Sequence, residues 1–174
     1  KTQFEIGGAA FTSVQVMIVL VSTISMSGLL FLVYRTKLGM AMRATAQNPA
    51  VAGLMGVNAN RVISSAFIIG SALGALAGVM VGTYYEIAHY QMGFMLGLKA
   101  FTAAVLGGIG NLAGAMAGGV LLGLIEALGA GYIGDLTGGF LGSHYQDIFA
   151  FVVLIFVLMF RPSGLFGEKT GDRA

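Results

Sequence analysis

The sequence predicts an all-α membrane protein, a polytopic bundle of about five transmembrane helices in which one helix is short or broken. Of its 174 residues, 57% are hydrophobic and only 9% are charged, and the mean hydropathy is +0.89. A soluble domain carries about 25% charged residues. Residues 6–34 and 62–85 lack any charge, and each stretch exceeds the ~20 residues that a helix needs to cross a bilayer. The 28 glycines favour close packing and breaks in such helices.

Charges and helix-breaking residues set the order of the predicted helices. Span one covers residues 11–34, a polar hinge covers residues 35–61, and span two covers residues 62–85. The motif "GGIGN" at 107–111 divides the next region into span three, residues 93–106, and span four, residues 113–133. Span three reaches only roughly 21 Å and must be short, tilted or partly unwound. Span five begins near Ser143 or Tyr145 and ends at Arg161 and Pro162.

The basic residues predict the orientation of the spans. Seven of the nine lie in the hinge or in the tail after span five, which the positive-inside rule places in the cytoplasm. The opposite loops carry Glu86, Asp135 and Asp147 and no Lys or Arg. An odd number of spans then places Lys1 outside, and no initiating Met is present. We therefore expect residues 1–174 to be one transmembrane domain that lacks its N-terminal spans.

Several kinds of chemistry have no support in the sequence. Cysteine is absent, which removes disulfides and thiol sites. His89 and His144 stand alone without a ligand four residues away, so no metal site is predicted. "GGIGNLA" resembles a dinucleotide fingerprint, but it links two membrane spans instead of following a strand, and nucleotide binding is rejected. No catalytic constellation and no cofactor site is predicted, and a net charge of +2 does not indicate nucleic acid.

The hinge contains the signals of a short helix. In "NPAVAGLMG", Asn48 suits an N-cap, Pro49 suits the first helical position and Gly56 suits the C-terminal end. The preceding "GMAMRATA" is a second candidate helix. No acidic residue lies between 35 and 61. The hinge is therefore either a surface for another protein or an ordinary basic loop.

Span two carries a repeated glycine. Four glycines recur every four residues and form one smooth ridge along the helix, namely Gly70, Gly74, Gly78 and Gly82. Such a ridge allows another helix to approach closely. We predict helix packing there, with a gate that slides along the ridge as the alternative.

Lys99 and Glu126 are ionisable residues at membrane depth, where an unpaired charge is costly. Lys99 lies about two turns into span three and Glu126 about four turns into span four, so the two side chains are expected to pair. The pair either lines a translocation path or is purely structural, and snorkelling is a further reading. Aromatic residues nearby, Phe101 among them, either face a substrate or anchor the helix ends at the interface.

The motifs from residue 35 onward resemble a known family in their order and spacing. They run from "RTKLGMAMRATAQNPAVAGLMGVNANRVISSAF" through "GFMLGLKAFTAAVLGGIGNLAGAMAGGVLLGLIEALGAGY" to "YQDIFAFVVLIFVLMFRPSGLFG". They are similar to the C-terminal part of LivH-type permeases of branched-chain amino acid ABC importers. Span one fits this family in position but is generic in sequence.

The resemblance implies a permease in the bacterial inner membrane that moves amino acids inward by alternating access. Its expected partners are a second permease subunit (LivM-like or a copy), two cytoplasmic ABC ATPases, a periplasmic amino-acid-binding protein and membrane lipid. Residues 35–61 would form the loop that couples ATP hydrolysis to transport, with a cytoplasmic coupling helix. The residues assigned to this loop are Arg43, Ala46, Asn48, Pro49, Ala50, Ala52, Gly56 and Asn58. The Glu usual in such loops is absent.

Two other function classes stay open from the residues alone. An ion-coupled secondary transporter of a small polar solute also uses broken helices and charges in the membrane. Its uptake would collapse with the ion gradient. A purely structural membrane subunit would tolerate substitutions at Lys99 and Glu126.

Overall fold

The computed structural model describes residues 3–6, 9–133 and 146–167. Its contacts divide the chain into two compact units, Lys1–Tyr90 and Gln91–Ala174. Each unit is treated by itself below.

The first unit begins with a short β-hairpin that the sequence reasoning did not predict. Strands β1 (Gln3–Ile6) and β2 (Ala9–Thr12) pair antiparallel, with Phe4 opposite Phe11. Helix α1 (Ser13–Arg35) follows directly. Its first turn is closed by the Gln15 side chain, which accepts a hydrogen bond of 3.1 Å from the Thr12 N–H. The chain is thus helical except for this hairpin and the connections in its described part.

Three further helices complete the first unit. Helices α2 (Lys37–Gln47) and α3 (Pro49–Leu54) form the hinge, and α4 (Ala59–Tyr85) follows them. Helix α2 packs against α1, α3 and α4. The hinge therefore contacts both of the long helices that flank it in the sequence.

Helices α1 and α4 correspond to predicted spans one and two. They contain 23 and 27 residues and are long and apolar enough to cross a membrane. At 1.5 Å per residue they extend about 34 and 40 Å. Their side chains are exposed or half-buried, and Val62 is the one buried residue among the two helices. Apolar helices without a covered face need lipid or other helices around them.

The second unit contains helices α5 (Met92–Gly107), α6 (Leu112–Leu128), a π-helical turn (Gly129–Ile133) and α7 (Gln146–Phe160). The chain bends by 119° between α5 and α6. The predicted break at "GGIGN" is confirmed, because Gly108 and Gly110 there have φ of +106° and +97°, values that glycine adopts without strain.

Helix length and composition give fewer membrane crossings in the described residues than the five that the sequence predicts. By length and composition, the described residues give two crossing helices, or three if the bent pair α5–α6 counts as one broken span. Five crossings and the cytoplasmic location of the hinge stay predictions. Helix α7 ends at Phe160, immediately before Arg161 and Pro162 as predicted. The predicted start at Ser143 or Tyr145, with Asp135 and His144, lies outside the described residues.

Candidate functional site: a capped hinge and a buried ion pair

The corner between α1 and α2 is tight. The Thr36 hydroxyl accepts a 3.1 Å hydrogen bond from the Gly39 N–H and donates to the Leu32 carbonyl. A Cβ on Gly39 would collide with the backbone carbonyl groups of Leu32 and Val33. Because the collision is with backbone, a larger residue cannot be accommodated by a side-chain rotation. Glycine at 39 thus lets α2 turn closely against the end of α1.

The second hinge helix has the caps that the sequence predicts. The Asn48 side chain accepts hydrogen bonds of 3.1 and 3.2 Å from the N–H groups of Ala50 and Val51. Pro49 occupies the first turn, and Gly56 ends the segment with φ of +85°. These three predictions are confirmed. Asn58, assigned to the same loop, caps α4 by accepting from the Arg61 N–H at 3.2 Å.

The exposed surface of the hinge differs from the set assigned to it. Ala52 is only 4% exposed, so it faces the interior of the first unit and cannot offer its side chain to a partner. Ala46 and Ala50 are exposed, as a docking surface requires. Three large apolar side chains of α3 and its C-terminal end are exposed to solvent, and we call them the apolar tip. They are Val51, Leu54 and Met55, which are 53, 87 and 81% exposed. The sequence analysis did not predict the tip, although Leu54 and Met55 are adjacent large apolar residues at the end of the predicted helix.

Lys99 and Glu126 meet across α5 and α6. Lys99 Nζ lies 3.1 Å from Glu126 Oε2, and the side chains are 30% and 12% exposed. The predicted pairing is therefore confirmed. The second carboxylate oxygen, Oε1, is buried and accepts no hydrogen bond from the described residues. An unsatisfied buried carboxylate oxygen is costly, so a donor from a ligand or water would be stabilised at this atom.

Small residues hold α5 and α6 close together around this pair. A Cβ on Gly107 would collide with the Gly114 carbonyl, and a Cβ on Gly118 with the Ala103 carbonyl. Ala103 and Leu122 form the buried apolar contact between the two helices. Close backbone approach of this kind is the usual basis of helix association where lipid replaces water.

The segment after α7 returns to the turn between α5 and α6. We call residues 161–167 the strap. Its Leu165 and Phe166 N–H groups donate to the carbonyls of Leu106 and Gly107 at 2.8 and 3.1 Å. Asn111 caps α6 through its Oδ1, which accepts from the Gly114 N–H, and donates its Nδ2 to the Phe166 carbonyl at 3.0 Å. The strap thereby satisfies carbonyl groups that the end of α5 leaves open.

Other assigned residues are not brought to these sites. Phe101 is 64% exposed and lies two residues from Lys99, on nearly the opposite side of α5. No atom of the described residues in the first unit lies within 4 Å of a Cβ built on the ridge glycines Gly70, Gly74, Gly78 or Gly82. Packing at the ridge and a path role for Phe101 stay predictions. In the described part of the chain no three His, Asp or Glu side chains are grouped to hold a metal.

Comparison with known proteins decides the family. The family model described as the permease component of branched-chain amino acid transport systems matches residues 2–158. The chain belongs to this permease family. The high-affinity branched-chain amino acid transport system permease protein BraD of Pseudomonas aeruginosa is 44% identical over 166 residues, which are 95% of this chain and 52% of BraD.

Other permease proteins are similar to this chain as well. The high-affinity branched-chain amino acid transport system permease protein LivH of Escherichia coli is 42% identical over 165 residues, 95% of this chain and 51% of LivH. The inner membrane ABC transporter permease protein YjfF of Escherichia coli is 28% identical over 142 residues, 78% of this chain and 41% of YjfF. The chain thus spans about half the length of BraD and LivH. No solved structure matches it.

Proposed function

We propose that this chain is part of a permease subunit of an ABC importer that moves branched-chain or related amino acids inward across the bacterial inner membrane. The observation that carries the proposal is the family match over residues 2–158. The names of BraD and LivH support the substrate class, and the name of YjfF supports an ABC system of the inner membrane. ATP hydrolysis would occur in partner subunits, because BraD, LivH and YjfF are all named as permease proteins.

The proposed partners are a second permease subunit, two cytoplasmic ATPases and a periplasmic amino-acid-binding protein. Residues 35–61 would be the part that an ATPase moves. A force applied at this loop reaches the membrane helices only if the loop does not bend. The capped corner at Thr36 and Gly39, and the packing of α2 on both α1 and α4, support such rigid transmission.

The apolar tip is the proposed contact with the ATPase. Residues 44–60 carry no charge, and the exposed side chains of Leu54 and Met55 offer apolar area to a groove on a partner. Helix-in-groove recognition uses apolar anchors of this kind. Ala52 would act indirectly, by holding α3 against the rest of the first unit.

The proposed translocation path includes the Lys99–Glu126 pair. An amino acid carries an ammonium group and a carboxylate, and both find opposite charges at this pair. Glu126 Oε1 is buried without a donor from the described residues, so a substrate ammonium group there would satisfy it. Uptake by full-length protein carrying Lys99→Met, Glu126→Gln or both tests this role. Normal uptake by both single variants, with normal amounts in the membrane, would remove the pair from the path.

Co-purification of the full-length protein from its native host in mild detergent tests the ABC assignment. Leu54→Asp places a charge on the apolar tip, and Gln47→Asp places the same charge at another exposed position of the hinge. We expect an ATPase to accompany the wild type and Gln47→Asp and to be lost from Leu54→Asp. If no ATPase copurifies with the wild type, even after crosslinking, the importer proposal fails. Uptake that collapses with an ion gradient would then identify a secondary transporter.

A further inference from the structure

Four basic side chains lie on the helices α1, α2 and α4, which pack against one another in the first unit. We call Arg35, Lys37, Arg43 and Arg61 the basic collar. All four are exposed, and in the described part of the chain none of them makes a salt bridge. Like charges that lie near one another repel, and the repulsion is relieved when an anion lies among them.

The collar comes from three helices. Arg35 is the last residue of α1, and Lys37 is the first residue of α2. Arg43 folds back toward the end of α1, because its guanidinium lies 5.4 Å from the centre of the Tyr34 ring. Arg61 lies in the first turn of α4, which packs against α2. The packing of α2 on α1 and α4 thus brings together helices whose basic residues lie up to 26 positions apart in the sequence.

Helices α1 to α4 of the first unit contain no acidic residue that could balance the collar. No Asp or Glu occurs between Glu5, which precedes α1, and Glu86, which follows α4. Glu86 is separated from Arg61 by almost the whole of α4, a distance of about 37 Å at the rise of an α-helix. Charges that far apart in an exposed setting are screened, since the Debye length at physiological salt is about 8 Å. The counterion of the collar must come from outside the first unit.

The position of the charges favours a lipid over a protein partner. The collar lies where α1 ends and α4 begins, whereas residues 44–60, including the exposed tip of α3, are uncharged. If α1 and α4 cross the membrane, as the proposed function requires, the collar lies at the level of the phospholipid headgroups.

We propose that the basic collar binds the phosphate of an anionic phospholipid, such as phosphatidylglycerol, in the cytoplasmic leaflet. Guanidinium groups form paired hydrogen bonds with phosphate oxygens, and Arg43 is already oriented by its contact with Tyr34. Exposed Leu38 and Met40 on α2 offer apolar contact to the acyl chains. The bound lipid would hold α2 at the membrane surface while the tip is left exposed to a partner.

Native mass spectrometry of the full-length protein, incubated with phosphatidylglycerol or phosphatidylcholine in mild detergent, tests the proposal. The collar variant is Arg35→Gln with Arg43→Gln. The control is Lys169→Gln with Arg173→Gln, which removes the same charge from the tail. Each basic residue near an anionic surface contributes roughly a fivefold gain in affinity. We therefore expect the collar variant to bind phosphatidylglycerol about 30-fold more weakly, and the control to bind it as the wild type does.

Three results would overturn the proposal. The wild type could bind phosphatidylcholine as well as phosphatidylglycerol, or the control could lose as much binding as the collar variant. The collar variant could also keep its lipid and lose an ATPase, which would make the collar a protein surface. Far-ultraviolet circular dichroism excludes misfolding of the variants as the cause. Lipid binding is measured without the ATPase, so its failure is distinguishable from failure of the importer proposal.

Discussion

Gly118 and Gly119 of α6 differ in the space available for a side chain, and this difference allows a matched test of the α5–α6 packing. A Cβ on Gly118 would collide with the Ala103 carbonyl and lie 2.8 Å from the Gly107 nitrogen. A Cβ on Gly119 would lie 3.9 Å from the Ala103 Cβ, an ordinary contact. We predict that Gly118→Ala destabilises the protein relative to Gly119→Ala.

The expected size follows from the geometry. The clash involves backbone on both helices, so α5 and α6 must separate to bring 2.8 Å to an ordinary distance of about 3.5 Å or more. Overpacking of this kind costs about 1–3 kcal/mol. Both variants gain the same helix propensity, up to about 1 kcal/mol, so the difference between them isolates the contact. We expect Gly118→Ala to lie about 1–3 kcal/mol below Gly119→Ala in free energy of unfolding.

Equilibrium unfolding of the full-length protein in mild detergent, followed by circular dichroism, measures this difference. Wild type and both variants are compared at one detergent concentration. If Gly118→Ala is as stable as Gly119→Ala, the close approach of the two helices is refuted. The argument that small residues hold the Lys99–Glu126 pair together would then fail as well.

Two further predictions concern the second unit. Lys99→Met should lower the free energy of unfolding by about 3–5 kcal/mol, because it leaves a buried carboxylate unpaired. Glu126→Gln should lower it clearly less, because the ammonium group that it leaves unpaired belongs to a side chain that is 30% exposed, whereas that of Glu126 is only 12% exposed. Equal losses in the same unfolding assay would contradict this order. Asn111→Asp should keep the cap of α6 but remove the donor to the Phe166 carbonyl. Hydrogen exchange at the Phe166 amide should then accelerate at least about tenfold, because one lost hydrogen bond of about 1.4 kcal/mol corresponds to that factor. The control Asn58→Asp alters another helix cap and should leave the exchange rate of that amide unchanged. Unaltered protection in Asn111→Asp would show that the strap does not depend on this side chain.

The features that the sequence predicted correctly depend on local chemistry or on a strong physical cost. Asn48, Pro49 and Gly56 mark a short helix because caps act within a few residues. The Lys99–Glu126 pair was predictable because an unpaired charge at membrane depth is expensive. In both cases few alternatives compete with the structure that forms.

Two of the features that were missed depend on contacts between distant residues. The strap joins Asn111 to Phe166, which are 55 residues apart, and no local pattern indicates which carbonyl a returning segment will meet. The burial of Ala52 follows from how α3 lies against its neighbours. The family resemblance predicts that the hinge is a coupling loop, but only the fold distinguishes the buried residues of the hinge from the exposed Leu54.

The strap also fixes an order of events during synthesis. The carbonyls of Leu106 and Gly107 receive hydrogen bonds from residues about 60 positions later in the chain. A ribosome adds about 5–20 residues per second, so about 3–12 s pass between the emergence of these carbonyls and that of their partners. During this interval the turn between α5 and α6 is open to water or to the insertion machinery. The bent pair can therefore form first, and the arrival of Leu165 and Phe166 closes its turn afterwards.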